Sequence, residues 1–272
     1  MDNVVRIAVL GANGRMGQTL VRLIAEDASL QLVGAATEPG HATLGKDVGL
    51  VAHADALGIT LTDDPVVAVT DADVAIDFTL PDATAGNVAA CIANDVELVI
   101  GTTGLSDDHY ELLADAAREI AVVYARNMSI GINVISELAR LASHALGDDY
   151  DVEITEAHHR HKVDAPSGTA LQLGEAVAEG RGDRLADVAC YNRNDESQAR
   201  EPGSIGFAAL RGGSIVGDHS VMLAGDEEIV ELSHRAIHRT AFARGALRAA
   251  RWIVEQSPGL YSMNDVLGLR GR

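Results

Sequence analysis

Val4-Val5-Arg6-Ile7-Ala8-Val9-Leu10-Gly11-Ala12-Asn13-Gly14-Arg15-Met16-Gly17 decides the first half of the fold. Residues 4–10 are β-branched and apolar and read as a buried strand that stops at a tight turn on Gly11. Beyond the glycines, Met16, Leu20, Leu23 and Ile24 recur at helical spacing, so a helix follows at once. Glycines in such a junction permit the turn, let the backbone approach a pyrophosphate and let the helix lie close on the sheet. The helix start adds N–H groups and the positive end of its dipole, both suited to phosphate. The spacing is GxxGxxG, with Asn13 where the commonest fingerprint has glycine, and a glycine turn without a ligand is the alternative it leaves open.

Working outward, a second strand at about Leu30 to Ala36 leads to Glu38, 21 residues beyond Gly17. An acid there accepts hydrogen bonds from the adenosine ribose diol and repels a 2′-phosphate. Pro39 follows and supplies no cation, so NADH is expected to serve at least as well as NADPH; Arg15 is the guanidinium that could still reach a phosphate. Residues 71–79, 96–104 and 121–125 read as further strands, separated by helices over 81–95 (proline in its first turn) and 107–120. Strands alternating with helices of this length predict an α/β domain with a doubly wound parallel sheet. Such sheets bind ligands outside the carboxyl ends of their strands. Gly101-Thr102-Thr103-Gly104 and Ala125-Arg126-Asn127-Met128 close two of them, so both are expected near the nicotinamide and its ribose.

Past Ala125 the texture changes. A long helix at about Ile130 to Leu146 precedes a strand, DVEITEA, a polar loop and a helix starting near Ser167. Residues 187–236 alternate short strands with glycine-rich turns, which predicts an antiparallel or mixed sheet. The tail from Thr240 is helical again and is expected to return to the first domain. The reading is therefore a dinucleotide-binding domain of residues 1–125 with 239–272, and an inserted domain of residues 126–238.

Forty acidic residues oppose 21 basic ones, a formal net charge of −19, which excludes the basic footprint that nucleic acid or an anionic membrane surface requires. The acids are scattered along the chain and only Lys46 and Lys162 are lysines, a pattern expected of adaptation to high salt, where screening removes self-repulsion. An ordinary acidic protein from a GC-rich genome is the alternative. No apolar stretch reaches the roughly 20 residues of a membrane span, and the start reads as a first strand rather than a signal peptide. Cys91 and Cys190 lie far apart, which fits a reducing cytoplasm rather than a disulfide framework.

The segment Glu156-Ala157-His158-His159-Arg160-His161-Lys162-Val163-Asp164-Ala165-Pro166-Ser167-Gly168-Thr169-Ala170 runs against that acidic background. Three histidines, an arginine and one of the two lysines fall within residues 158–162. Such a concentration is costly unless it meets an anion. Pro166 and Ser167 then open a helix whose first N–H groups, Gly168 and Thr169 among them, are suited to a carboxylate. Lysine and helix start together fit a compact, doubly anionic acceptor, and the histidines can supply a proton near neutral pH. A metal site is the less favoured reading, because HHxH sets its histidines on no common face and no HExxH or cysteine partner is present. A solvated basic loop is the other.

GANGRMG (11–17), DFTLP (77–81), IGTTG (100–104), ARNMSIG (125–131) and above all EAHHRHKVDAPSGTA (156–170) stand in the order and spacing of the dihydrodipicolinate reductase family. With PGSIGFAALRGGSIVGDHSVML (202–223) and YSMNDVLGL (261–269), the chain resembles that family from about residue 5 to 269. The resemblance implies an N-terminal Rossmann-type domain, an α+β domain whose open mixed sheet assembles a homotetramer, and a cytoplasmic NADH- or NADPH-dependent reductase. Its reaction would be reduction of 4-hydroxy-tetrahydrodipicolinate in the diaminopimelate route to lysine, with no metal. Carried onto this chain, His158 would be the proton donor or acceptor and Lys162 a second proton donor. His159, Gly168 and Thr169 would hold substrate carboxylate; Gly11, Ala12, Asn13, Gly14, Arg15, Met16, Glu38, Gly101, Thr102, Thr103, Ala125, Arg126, Asn127 and Met128 would contact the nucleotide. Some relatives carry an arginine where Pro39 stands. An aspartate or homoserine dehydrogenase would share the glycine turn without the histidine-rich segment, and a non-catalytic NAD(H)-binding regulator would keep the turn and Glu38 without the cationic cluster.

Overall fold

The computed structural model describes residues 4–193 and 199–269. The chain divides into two compact units, Met1–Ser129 with Thr240–Arg272, and Ile130–Arg239.

The first unit is built on six parallel strands: β1 (Val5–Leu10), β2 (Leu30–Ala36), β3 (Val74–Asp77), β4 (Glu97–Ile100), β5 (Ala121–Tyr124) and, last in the chain, β11 (Gly259–Tyr261). Their spatial order is β2-β1-β3-β4-β5-β11. From β1 the chain steps to one side to form β2, then returns to the other side for β3, so the order reverses between β1 and β3. That reversal opens a crevice at the carboxyl ends of the strands. The sheet is buried on both faces, which is why its strands read as apolar runs without alternation. Ala8, Leu10, Ala75, Leu98, Ile100 and Val122 face the helices Pro65–Val69, Pro81–Ala93 and Asp107–Ala116. The intervening Ile7, Val9, Val74, Ile76, Val99 and Val123, also fully buried, point to the other face, where the helices Arg15–Ala25 and Thr240–Ile253 pack on each other. Each large side chain buried here contributes roughly 1.5–3 kcal/mol. Short elements carry no periodic signal in the sequence reading, among them the helix Pro65–Val69, capped by Asp64 Oδ1 accepting from the Val66 N–H at 2.9 Å, and the edge strand β11.

The second unit is a mixed sheet in the order β10-β9-β6-β8-β7, with β6 Asp151–His158, β7 Ala189–Cys190, β8 Ile205–Arg211, β9 Asp218–Ala224 and β10 Ile229–Arg235. The central strand β6 runs parallel to β8 and antiparallel to β9. One face is covered by the helices Ile130–Leu146 and Gly168–Arg181, which pack on Val152, Ile154, Val221 and Leu223. The other face carries Thr155, Ala157, Ala208, Leu210, Ser220, Met222, Ile229 and Glu231 and is open, with Leu210 65% and Ile229 63% exposed. Among the described residues no helix is long and apolar enough to cross a membrane.

Candidate active site

In the first unit the glycine turn is held by its own backbone. The Gly11 and Ala12 N–H groups both donate to the Ala36 carbonyl at the end of β2 (3.0 and 2.9 Å), and the Gly14 N–H donates to Gly11 O at 3.0 Å. These N–H groups therefore shape the turn. The N–H groups left over for an anion are those of the first helical turn, Arg15, Met16 and Gly17, which lie ahead of any intrahelical carbonyl. Gly17 is indispensable to this arrangement: a Cβ there would sit 2.2 Å from Gly11 O and 2.5 Å from Ala12 Cα, inside the turn itself. Gly11 has φ +79°, a conformation glycine adopts without strain. The fit to a dinucleotide thus rests on backbone that a side chain would displace.

Glu38 stands beside this turn. Its Oε2 accepts from Asn13 Nδ2 (3.1 Å) and Thr37 Oγ1 (3.0 Å), so the residue that stands where the commonest fingerprint has glycine orients this acid. Its own backbone N–H, with Thr37 and Asn13, holds its carboxyl below the usual range despite some burial. The Gly101 turn is tied to β3 by a residue the sequence reading passed over. Asp77, fully buried at the carboxyl end of β3, accepts from Thr79 N–H and Oγ1 (both 2.7 Å), Asn87 Nδ2 (2.9 Å) and Thr102 Oγ1 (3.3 Å). One carboxylate thereby fixes two neighbouring βα turns, and a Cβ at Gly101 would land 2.3 Å from the Phe78 ring. At the end of β5, the Ala125 N–H donates to Ile100 O and Asn127 Oδ1 accepts from the Ser129 N–H at 2.8 Å. Met128 is only 2% exposed as a whole residue, and its carbonyl is packed on Gly245, where a Cβ would lie 1.7 Å from it.

In the second unit, strand alternation sets Val152, Ile154, Glu156 and His158 on the helix-covered face of β6. The first two belong to the core; the last two begin a buried polar network. Glu156 is 2% exposed and takes four hydrogen bonds. Oε2 accepts from His158 Nδ1 (2.6 Å) and Arg211 Nη1 (2.7 Å), and Oε1 accepts from Arg211 Nη2 (2.7 Å) and the Ser167 N–H (3.1 Å). Burial alone would push the Glu156 carboxyl up, but Arg211 and His158 outweigh it and hold it below the usual range. Such a paired, fully hydrogen-bonded charge is the form in which a buried carboxylate persists. Ser167 caps the helix Gly168–Arg181, its Oγ accepting from the Ala170 N–H at 3.2 Å and lying 3.2 Å from His219 Nε2. Burial and the neighbouring His158 push the His219 imidazole down to about 4. Its ring stands edge-on to His158, centroids 5.1 Å apart.

The loop after β6 carries the remaining cations. Lys162 Nζ pairs with Asp164 Oδ1 at 2.9 Å and is mostly covered, while Arg160 and His161 are exposed. Burial and the positive charge of Arg239 hold His159 below its ordinary value, so it is uncharged near neutrality. Gly168 is exposed and Thr169 half-buried at the helix start. Sequence reading reaches His158, His159, Lys162 and the helix start. It misses Glu156, Arg211, His219 and Arg239, of which Glu156 had a signal: an acid two residues before His158 on one face of a strand.

Across the full chain, residues 5–128 match the family model described as dihydrodipicolinate reductase, N-terminus, and residues 131–267 the model described as dihydrodipicolinate reductase, C-terminus. A 4-hydroxy-tetrahydrodipicolinate reductase of Thiobacillus denitrificans is 49% identical over 98% of this chain and 99% of its own length. One from Burkholderia multivorans is 49% identical over 97% of this chain and 100% of its own. Among solved structures, a dipicolinate-bound dihydrodipicolinate reductase from a Paenisporosarcina species superposes with a TM-score of 0.74 at 24% identity, covering 95% of this chain and 97% of that one. With both halves matched and near-complete relatives at this identity, the chain belongs to the dihydrodipicolinate reductase family.

Proposed function

We propose that the chain catalyses the nicotinamide-dependent reduction of 4-hydroxy-tetrahydrodipicolinate to tetrahydrodipicolinate, a step on the diaminopimelate route to lysine. The observation that carries this reading is the end of β6, where a buried imidazole anchored to a carboxylate adjoins a cationic loop running into a helix N-terminus. Lys162, His159 and the first turn at Gly168 and Thr169 receive the two substrate carboxylates, the helix dipole adding to the positive field. The same groups stabilise electron density that moves toward the ring nitrogen as reduction proceeds. His158, with Lys162 as the second donor, supplies the proton that completes the reduced ring. The glycine turn, Glu38, the Gly101–Thr103 turn and Ala125–Met128 hold the dinucleotide; when bound, its reduced nicotinamide supplies the hydride that goes to C4 of the dipicolinate skeleton once the hydroxyl has left as water. A metal is not required by this donor set, in which the carboxylate, guanidinium and imidazole satisfy one another.

NADH is proposed to serve at least as well as NADPH. Glu38 is ionised and held in place by Asn13 and Thr37, and Pro39 offers a 2′-phosphate no cation. Reduction assayed with condensation product made in situ from pyruvate and aspartate semialdehyde tests both points. Oxidation that depends on that product, with kcat/KM for NADH equal to or above that for NADPH, is the expected result. Binding of NADH without turnover would return the chain to the nucleotide-binding regulators, and a ratio strongly favouring NADPH would give Arg15 the larger part.

A cytoplasmic homotetramer adapted to high salt completes the proposal. The uncovered face of the second unit's sheet, with Leu210 and Ile229 outward, is the support for assembly. Cys91 and Cys190, which are not joined in a disulfide, support a reducing compartment, and the net charge of −19 supports salt adaptation. Self-repulsion of that charge weakens as the Debye length shrinks from about 10 Å at 0.1 M to about 3 Å at 1 M salt. The melting temperature is therefore expected to rise between low and molar KCl; one that stays level or falls contradicts the adaptation.

A further inference from the structure

We infer that Glu156 is a positioning residue for proton transfer: it keeps a proton on His158 Nδ1 and so confines the exchangeable proton to Nε2. The inference rests on the reading of His158 as the proton donor. Glu156 is gripped by both terminal nitrogens of Arg211 at 2.7 Å and is buried, so it is an anion that can only accept. The 2.6 Å contact with His158 therefore has Nδ1–H as donor, in the imidazolium and in the neutral ring alike. Nε2 is then the nitrogen that gives up its proton and recovers it. It lies beside Gly217, where a Cβ would stand 3.1 Å away, so a residue without a side chain borders the working nitrogen. The same carboxylate takes the Ser167 N–H, and Ser167 caps the helix proposed to hold substrate carboxylate. Glu156 thus sets the proton-bearing ring and the anion-binding helix start in one register.

The charged and titratable groups around His158 are accounted for on each side. Glu156 lies on its own strand, Arg211 on β8 and His219 on β9, while His159, Lys162 and Asp164 lie on the following loop. Of these, Glu156 and Asp164 are the anions, and Asp164 is engaged by Lys162 at 2.9 Å. Glu156→Gln cannot reproduce the clamp in either orientation, because each carboxylate oxygen accepts from Arg211 and an amide nitrogen would meet a donor on whichever side it lay. Glu156→Asp keeps the charge and is the conservative variant.

The test combines kinetics with imidazole ¹⁵N spectra, His158 being assigned by comparison with His158→Gln. In the unmodified protein, neutral His158 should show Nδ1 protonated and Nε2 bare; a neutral ring protonated on Nε2 overturns the inference without any Glu156 variant having to fold. Glu156→Gln should lower kcat by at least about tenfold, toward the roughly 10⁴-fold that a wrong tautomer costs a histidine base. NADH affinity should be unchanged, and Glu156→Asp should restore both the tautomer and part of the rate. Loss of rate in Glu156→Gln with the Nδ1–H tautomer retained would reduce Glu156 to a structural role. Near-normal turnover of His158→Gln would defeat the underlying reading of His158, whereas an impaired His158→Gln beside an unimpaired Glu156→Gln would defeat this inference alone.

Discussion

Replacing His158 by glutamine is expected to lower kcat by about 10²–10⁴-fold, the range that loss of a positioned general acid produces. Replacing Lys162 by methionine should have an effect of the same order. Each change removes a proposed proton donor, one at the end of β6 and one on the loop after it, while leaving the sheet intact, since Val152 and Ile154, not His158, fill the core at that strand. Affinity for the dinucleotide should not change, because the residues assigned to it lie in the other compact unit. The two substitutions should differ in KM. Lys162 is also assigned to substrate carboxylate, so its loss should raise KM for the dicarboxylate as well as lower kcat, whereas His158 should act on kcat. If both serve the same proton-transfer step, the double variant will lose much less than the product of the two single losses. Turnover near that of the unmodified enzyme in both single variants would remove both residues from the chemistry.

The glycine turn and the histidine-rich segment differ in how much of each the sequence reveals, and the reason is distance along the chain. The glycine turn is local: strand, glycines and helix start are consecutive, and Glu38 follows at a spacing set by one helix and one strand. The residues that complete the network around Glu156 come from separate elements. Arg211 reaches Glu156 from 55 residues away and His219 meets Ser167 from 52, on strands whose order β9-β6-β8 is not the chain order. No periodicity encodes that pairing. Alternation along DVEITEAH does place Glu156 beside His158, and a buried acid on the core face of a strand demands a cation. Which cation answers it is decided by the sheet. In the first unit, Asp77 escapes notice for a similar reason, because its partners Asn87 and Thr102 lie on a helix and on the next turn. The weakest elements are missed for lack of length. Strand β11 is three residues at a sheet edge, and Pro65–Val69 is a single turn rich in β-branched residues, which favour strand over helix.

Acid is expected to destabilise the second unit through His219. Its imidazole is almost fully buried and is pushed down to about 4, against 6.5 for the ordinary group, by burial and by the neighbouring His158, His234 and Lys162, which outweigh the attraction of Glu156. Between those two values the unfolded chain binds a proton that the folded one refuses. Stability from this group is therefore complete above about pH 6.5, falls as the pH is lowered, and is exhausted below about pH 4. The gap corresponds to about 3 kcal/mol at most. Urea unfolding followed at intervals between these pH values should show the decline, and His219→Asn should flatten it, the asparagine keeping a polar partner for Ser167 without a titrating ring. Glu156, whose carboxyl is held low, adds a loss of the same sign that His219→Asn leaves in place, so the two proteins should converge as the pH falls while their difference widens toward neutrality. Parallel curves across the whole range would mean that His219 takes up its proton without opening the fold. The curves should instead diverge toward neutrality, because a proton on that buried ring sets a positive charge against the His158 ring, beside the one carboxylate that already serves Arg211, His158 and the Ser167 cap.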